Sequence, residues 1–271
     1  MATAYLQPGD EAIHTEHGFL VYKLASQATG ARPVSVAETN LTADVDAILE
    51  AVTSKTKIVF LANPNNPTGT MIPASEVRRL HAGLHDNVLL VLDGAYAEYV
   101  GIADYEDGFG LVEETQNVVT TRTFSKIYGL AALRLGWAYC PAPIAAVINR
   151  LRGPFNVSTP AQLAGIVAIE DQAHVEASIK HNDVWRDRLF QQISGAGFKV
   201  FPSHANFLLI KFDSENGLSA SQAEQKLNER GLILRGLTAY GLPDALRLTI
   251  GTEEANELVA NVFLEMAENN G

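Results

Sequence analysis

Lys57-Ile-Val-Phe-Leu-Ala-Asn63 and Val88-Leu-Leu-Val-Leu-Asp-Gly94, with Pro73 to Leu84 between them, decide the fold. Both runs are continuously apolar, as strands buried on both faces of a parallel sheet are, where a half-exposed strand would alternate. The intervening segment opens polar and places Val77, Leu80 and Leu84 on one helical face, which fits a crossover helix. Strand, helix and strand in that order give parallel strands joined by a right-handed crossover, hence an α/β fold. Two more runs, Asn117-Val-Val-Thr-Thr-Arg122 and Leu135-Gly-Trp-Ala-Tyr-Cys140, read as further buried strands of the same parallel sheet.

Beyond Arg152 the texture changes. A helical stretch from Gln172 to Ser194 ends at Gly195 and Gly197, and Lys199-Val-Phe and Asn206-Phe-Leu-Leu-Ile-Lys-Phe read as strands. Ser219-x-x-Gln222 is a capping box opening a helix to Arg230, and Gly231 suits a left-handed C-terminal cap. Leu246-Arg-Leu-Thr-Ile-Gly251 and a final helix from Thr252 complete a smaller α+β domain of about a hundred residues. The chain therefore divides into a large α/β domain over 1–152 and a small C-terminal α+β domain over 153–271. No internal repeat interrupts this plan.

The chain carries 31 acidic against 20 basic side chains, a net charge of −11. Nucleic acid and anionic membrane surfaces are disfavoured partners, because both are bound through clustered Lys and Arg. Cys140 is the single cysteine, so no intramolecular disulfide can form. Asp10 and Glu11 stand where a signal peptide would need an apolar core, and a reducing cytoplasm is the expected setting. The most apolar stretch, Leu130 to Ile148, is broken by Arg134 and by prolines and glycines, too interrupted for a membrane span. Asn40-Leu-Thr42 and Asn156-Val-Ser158 match the glycosylation pattern and read as chance without a secretory route.

Ligands of parallel α/β sheets bind at the carboxyl ends of the strands. Three such ends carry polar motifs: Asn63-Pro-Asn-Asn-Pro-Thr-Gly69, Asp93-Gly-Ala-Tyr96 and Thr121-Arg-Thr-Phe-Ser-Lys126. Each alone has an ordinary explanation. The first is turn chemistry, Asp93 fits a helix N-cap, and Lys126 fits a solvated lysine. Lys126, however, is preceded by Thr123, Phe124 and Ser125 and followed by Arg134 eight positions later. A lysine that forms a Schiff base needs a partly desolvated pocket, and a phosphate-bearing cofactor needs hydroxyls and an arginine nearby. His81 and His85 have the i, i+4 spacing of two metal ligands but lack the glutamate of a zinc-protease helix, so no metal site is assigned.

In this order and with these motifs, including Leu133-Arg-Leu-Gly136 after Ser125-Lys126, the chain resembles the fold-type I pyridoxal-phosphate (PLP) aminotransferases. Glu16-His-Gly-Phe-Leu-Val-Tyr22, Ile233-Leu-Arg235 and Tyr240-Gly-Leu-Pro-Asp-Ala-Leu-Arg247 resemble the histidinol-phosphate aminotransferases within that group. The resemblance implies PLP as cofactor, small-molecule amine and keto-acid substrates, and a homodimer. It implies transfer of an amino group from L-histidinol phosphate to 2-oxoglutarate, giving imidazole-acetol phosphate and glutamate in histidine biosynthesis. An aminotransferase for aromatic or other amino acids, a PLP lyase or decarboxylase, and an impaired relative share the same cofactor residues and stay open.

By resemblance, Lys126 holds PLP and shuttles the proton between substrate and cofactor. Asp93 faces the pyridine nitrogen, and Asn66 and Tyr96 meet the phenolic oxygen. Phe19 stacks on the ring, and Thr123, Ser125 and Arg134 bind the phosphate. Arg247 captures the substrate's anionic group and Arg235 a second one. For Tyr96 and Phe19 simple core packing is the competing reading, and for Arg247 a surface position. Its alternation with Leu246, Leu248 and Ile250 does place Arg247 on the face opposite theirs. No glycine-rich phosphate turn precedes Tyr5, so the resemblance also implies that the family's N-terminal arm and part of its phosphate cup are missing here.

Overall fold

The computed structural model describes residues 1–213 and 217–268. The first part of the chain runs α1 (Ala2–Tyr5), β1 (Glu11–Thr15), α2 (Val21–Ala28), β2 (Arg32–Val36), β3 (Glu38–Thr39), β4 (Thr42–Ala43), α3 (Val45–Glu50) and β5 (Thr56–Ala62). It continues with α4 (Ala74–Gly83), β6 (Leu89–Asp93), α5 (Phe109–Glu114), β7 (Val118–Thr123), β8 (Gly136–Tyr139) and α6 (Ala142–Leu151). The second part holds α7 (Thr159–Glu170), α8 (Gln172–Gly195), β9 (Lys199–Phe201), β10 (Phe207–Lys211), α9 (Ala220–Glu229), β11 (Arg235–Leu237), β12 (Leu242–Thr249) and α10 (Glu253–Glu268).

Six strands form the central sheet in the order β2-β1-β5-β6-β7-β8. Successive residues of β5 from Ile58 onward serve opposite cores, which is why Ile58 to Ala62 never turns polar. Val59 and Leu61 pack with Val45 and Ile48 of α3 and Val77 and Leu80 of α4. Ile58 and Phe60 pack on the other face with Ala2 of α1, Tyr22 of α2 and Ile144 of α6. Each such side chain contributes roughly 1.5–3 kcal/mol when fully buried. The expected helix over Pro73–Leu84 is α4, with Pro73 as its N-cap.

Five strands are mutually parallel, but β8 runs antiparallel to β7. The reading of Leu135–Cys140 as one more buried parallel strand is therefore corrected. A parallel return needs a crossover of a dozen or more residues, usually helical. Here the connection contains only the 3-10 turn Ala131–Leu133, so the chain doubles straight back and leaves Gly136, Ala138 and Tyr139 exposed at the sheet edge.

The second sheet is antiparallel, in the order β11-β12-β10-β9. Leu208, Ile210, Leu246 and Leu248 face helices α8, α9 and α10, meeting Trp185, Leu189, Leu227 and Phe263. The opposite face turns toward the first part of the chain: Phe207 packs with Tyr96 and Ile127, and Leu209 and Leu237 pack with Tyr240, Leu20 and Leu41. As the sequence indicates, α9 opens with a reciprocal capping box between Ser219 and Gln222, and Gly231 follows it at φ +74°. The architecture is α/β, a mostly parallel sheet flanked by helices, with an α+β C-terminal region.

Candidate active site

Strands β5, β6 and β7 are in register at their carboxyl ends, with Ala62 beside Asp93 and Asp93 beside Thr121. The loops that leave them therefore converge. After β5, Asn63 clamps the loop by donating to and accepting from the backbone of Ile72 at 3.0 and 2.9 Å. Asn65 donates to Thr68 Oγ1 at 3.0 Å, so these two asparagines serve the loop and leave Asn66 to face outward. Gly69 closes the loop at φ +74°, where a Cβ would sit 2.3 Å from Ser203 Oγ; both conformation and space demand glycine.

Phe19, Asn66, Asp93, Tyr96 and Lys126 line one small cavity together with Tyr22, Ala62, Pro64 and Ala95. Five residues singled out in the sequence are thus brought together from four separate segments. Asp93 Oδ2 accepts the Tyr22 hydroxyl at 2.6 Å, and Oδ1 accepts the Ala95 amide at 3.1 Å. The carboxylate is therefore oriented by a side-chain and a backbone donor. Tyr22 is the site residue that the sequence reading passed over. It stacks on Phe60 at 4.9 Å and meets Phe19 edge-on at 5.8 Å. Burial first, then Asp93, pushes its hydroxyl pKa well above the ordinary tyrosine value, so it stays a donor. The available signal was its position three residues after Phe19 in the first turn of a helix.

Lys126 lies half-buried, with Nζ 5.2 Å from the Tyr96 ring centroid. Burial pushes its pKa below the usual lysine range, and the positive charges of Arg247 and Arg134 push the same way, while Asp93 opposes them. The Tyr96 hydroxyl is pushed up to about 12 by burial, against the field of Arg247.

Arg247 comes from the second sheet. Its register partner on β10 is Leu209, so it shares the face that turns away from the helices, as alternation required. Arg247 does not line the cavity but is half-buried and bonded to one of its lining residues, which a plain surface arginine would not be. Nη1 donates to Asn66 Oδ1, and the guanidinium lies 4.9 Å from the Phe207 ring centroid. Its Nε is buried without a partner. Arg235 pairs directly with Arg247 across β11 and β12, so their side chains leave the same face of the sheet. Arg235 is exposed.

Thr123, Ser125 and Arg134 lie beside the cavity and do not line it. Thr123 Oγ1 accepts the Ser125 amide at 3.0 Å. Arg134 is exposed at φ +54° and donates to the Ala131 carbonyl at 2.7 Å, near enough to act on Lys126. A larger cavity, lined by Tyr99, Arg186 and His204, opens elsewhere, but Arg186 is already paired with Asp183 and Asp187 at 2.9 and 3.0 Å. The convergent chemistry lies in the smaller one. Among the described residues no group of three His, Cys, Asp or Glu side chains could hold a metal, and His81 Nε2 instead lies 2.9 Å from Asn117 Oδ1. No described helix is long and apolar enough to cross a membrane.

The chain is similar to known proteins along nearly its whole length. The chain is 59% identical over 265 residues to a histidinol-phosphate aminotransferase of Rhodopseudomonas palustris (strain BisA53), spanning 98% of this chain and 73% of that protein. A counterpart from Nitrobacter winogradskyi is 58% identical over 261 residues, 96% of this chain and 72% of its own length. The crystal structure of histidinol-phosphate aminotransferase from Sinorhizobium meliloti in complex with pyridoxal-5'-phosphate superposes with a TM-score of 0.91 at 26% identity, over 100% of this chain and 73% of that one. The histidinol-phosphate aminotransferase from Clostridium acetobutylicum shares the fold at a TM-score of 0.89 and 21% identity, covering 99% of this chain and 80% of its own. Residues 1–263 match the family "Aminotransferase class I and II", and the chain belongs to that family.

Proposed function

We propose that the chain is a PLP-dependent transaminase whose amino donor is L-histidinol phosphate and whose acceptor is 2-oxoglutarate. The observation that carries this reading is the convergence of Lys126, Asp93, Asn66, Tyr96 and Phe19 on one cavity, with Arg247 of the second sheet hydrogen-bonded to Asn66. The relatives above are named histidinol-phosphate aminotransferases.

The residues fit the cofactor. The cavity joins an aromatic side chain, a carboxylate braced by two donors and a lysine with a lowered pKa, and Arg247 Nε is a buried donor with no partner. PLP, when bound, supplies an electron sink for the bonds at the substrate's α-carbon. Lys126 would hold it covalently, a task that needs the neutral amine favoured by burial. Lys126 Nζ would also be the group placed to take the proton from the substrate Cα. Asp93 would keep a proton on the ring nitrogen, with the Tyr22 hydroxyl fixing the carboxylate. Phe19 would cover the ring, and Asn66 and Tyr96 would meet its phenolic oxygen. Thr123, Ser125 and Arg134 would serve the cofactor phosphate, Arg134 after leaving the Ala131 carbonyl.

Arg247 would bind the carboxylate of 2-oxoglutarate or the phosphate of histidinol phosphate. Arg235, on the same face, would add a second guanidinium for the phosphate. Arg235→Ala should weaken histidinol phosphate more than an unphosphorylated amine, measured by glutamate formation with each donor. Equal weakening would remove the phosphate role. Exposed apolar side chains on α7, including Leu163, Ile166 and Val167, support a homodimer. The reading also sets the activity in the cytoplasm, with a large domain over 1–152 and a small domain over 153–271.

A further inference from the structure

The His17 imidazole links the end of β1 to the second sheet. Nδ1 lies 2.8 Å from the carbonyl oxygen of Tyr240, which can only accept, so the proton sits on Nδ1 and the ring donates. The loop that carries His17 is itself held. The His17 amide donates to Glu38 Oε1 at 3.3 Å, and the Gly18 amide donates to the Thr15 carbonyl at 3.0 Å. On the far side, Tyr240 ends the 3-10 turn Thr238–Tyr240, is buried, and is followed by Gly241 at φ +77° and then by β12. Its phenol is close enough to act electrostatically on both Tyr22 and Tyr96, two walls of the cavity. Phe19, two residues after His17, lines that cavity and also a neighbouring cleft bounded by Tyr240 and Gly241.

We propose that His17 is a positioning residue, whose Nδ1–H clamp on the Tyr240 carbonyl sets the Tyr240–Gly241 turn against the substrate side of the site. The inference rests on the transaminase reading, and it assigns the clamp to substrate affinity because the turn leads into the strand that carries Arg247. Side-chain geometry supplies the test. The amide nitrogen of asparagine reaches the place of a histidine Nδ1, whereas that of glutamine reaches the place of Nε2. His17→Asn should therefore keep the clamp, and His17→Gln and His17→Ala should lose it.

Two measurements decide the matter. Amide hydrogen exchange of segment 238–242 in the cofactor-free protein should accelerate in His17→Ala and His17→Gln and stay at the wild-type rate in His17→Asn. With PLP bound, the first two should raise KM for the phosphorylated amine by roughly 3- to 10-fold, the loss of one hydrogen bond, with kcat little changed. Asparagine should restore KM. If all three variants exchange alike, or if asparagine is as impaired as alanine, the clamp is overturned. A wild-type protein that failed to transaminate would contradict the underlying reading, while the exchange comparison would still decide the clamp.

Discussion

The two sheets meet at the site and build it in different ways. The parallel sheet supplies Asn66, Asp93 and Lys126 from adjacent strand ends, where backbone register and loop hydrogen bonds fix them. The antiparallel sheet supplies Arg247, a long side chain that arrives from a separately packed core and is met by Asn66. The groups suited to handling a proton thus come from the parallel sheet, and the group suited to an anion comes from the antiparallel one. The parallel-sheet residues should then govern kcat, and the antiparallel-sheet residues should govern KM.

The largest effect tests the first half of that contrast. Lys126→Ala should lower kcat by about 10⁴-fold, the upper range for a positioned acid–base group, with the melting temperature little moved. A variant retaining a tenth of the activity would break the division. Arg247→Ala comes next. Losing one charged hydrogen-bonding partner should raise KM for anionic substrates by roughly 10- to 100-fold while sparing kcat, as steady-state kinetics would show. A fall confined to kcat would place Arg247 with the other group. Tyr22→Phe removes a single donor from Asp93 and should cost about 3- to 10-fold in kcat, again with KM held.

The smallest effect concerns pH. Arg247 disfavours the charged form of Lys126, so removing it should raise the lysine pKa, although burial, the main cause of the shift, remains. Neutral lysine then appears at higher pH, and the midpoint for PLP capture by the cofactor-free protein should move upward in Arg247→Ala. No shift would mean that the two charges do not interact, and a downward shift would contradict the repulsion between them.

How far each sheet could be read from sequence follows the same contrast. Strands β5 and β6 announce themselves because both faces are apolar, β7 through Val118 and Val119 alone, and their polar ends point to the site. β1, next to β5 in the same sheet, does not, because Glu11 and His14 interrupt it. Both are buried nonetheless: Glu11 accepts Arg32 at 2.6 Å and Thr53 at 2.7 Å, partners far off in sequence. β8 looks like a buried strand from Leu135, Trp137 and Tyr139, yet direction is set by the connection, and the absence of a crossover helix between Thr123 and Gly136 was the evidence to weigh. Arg247 was legible through alternation, which gave its face without saying what that face met. Tyr22 was legible only as a helical neighbour of Phe19, because its bond to Asp93 spans 71 positions.

The most direct test of the account incubates the protein with PLP, reduces it with borohydride and maps the added mass by peptide. The label should fall on Lys126, at the meeting of the three strand ends. Label on any other lysine, or none after PLP treatment, would contradict the site assignment.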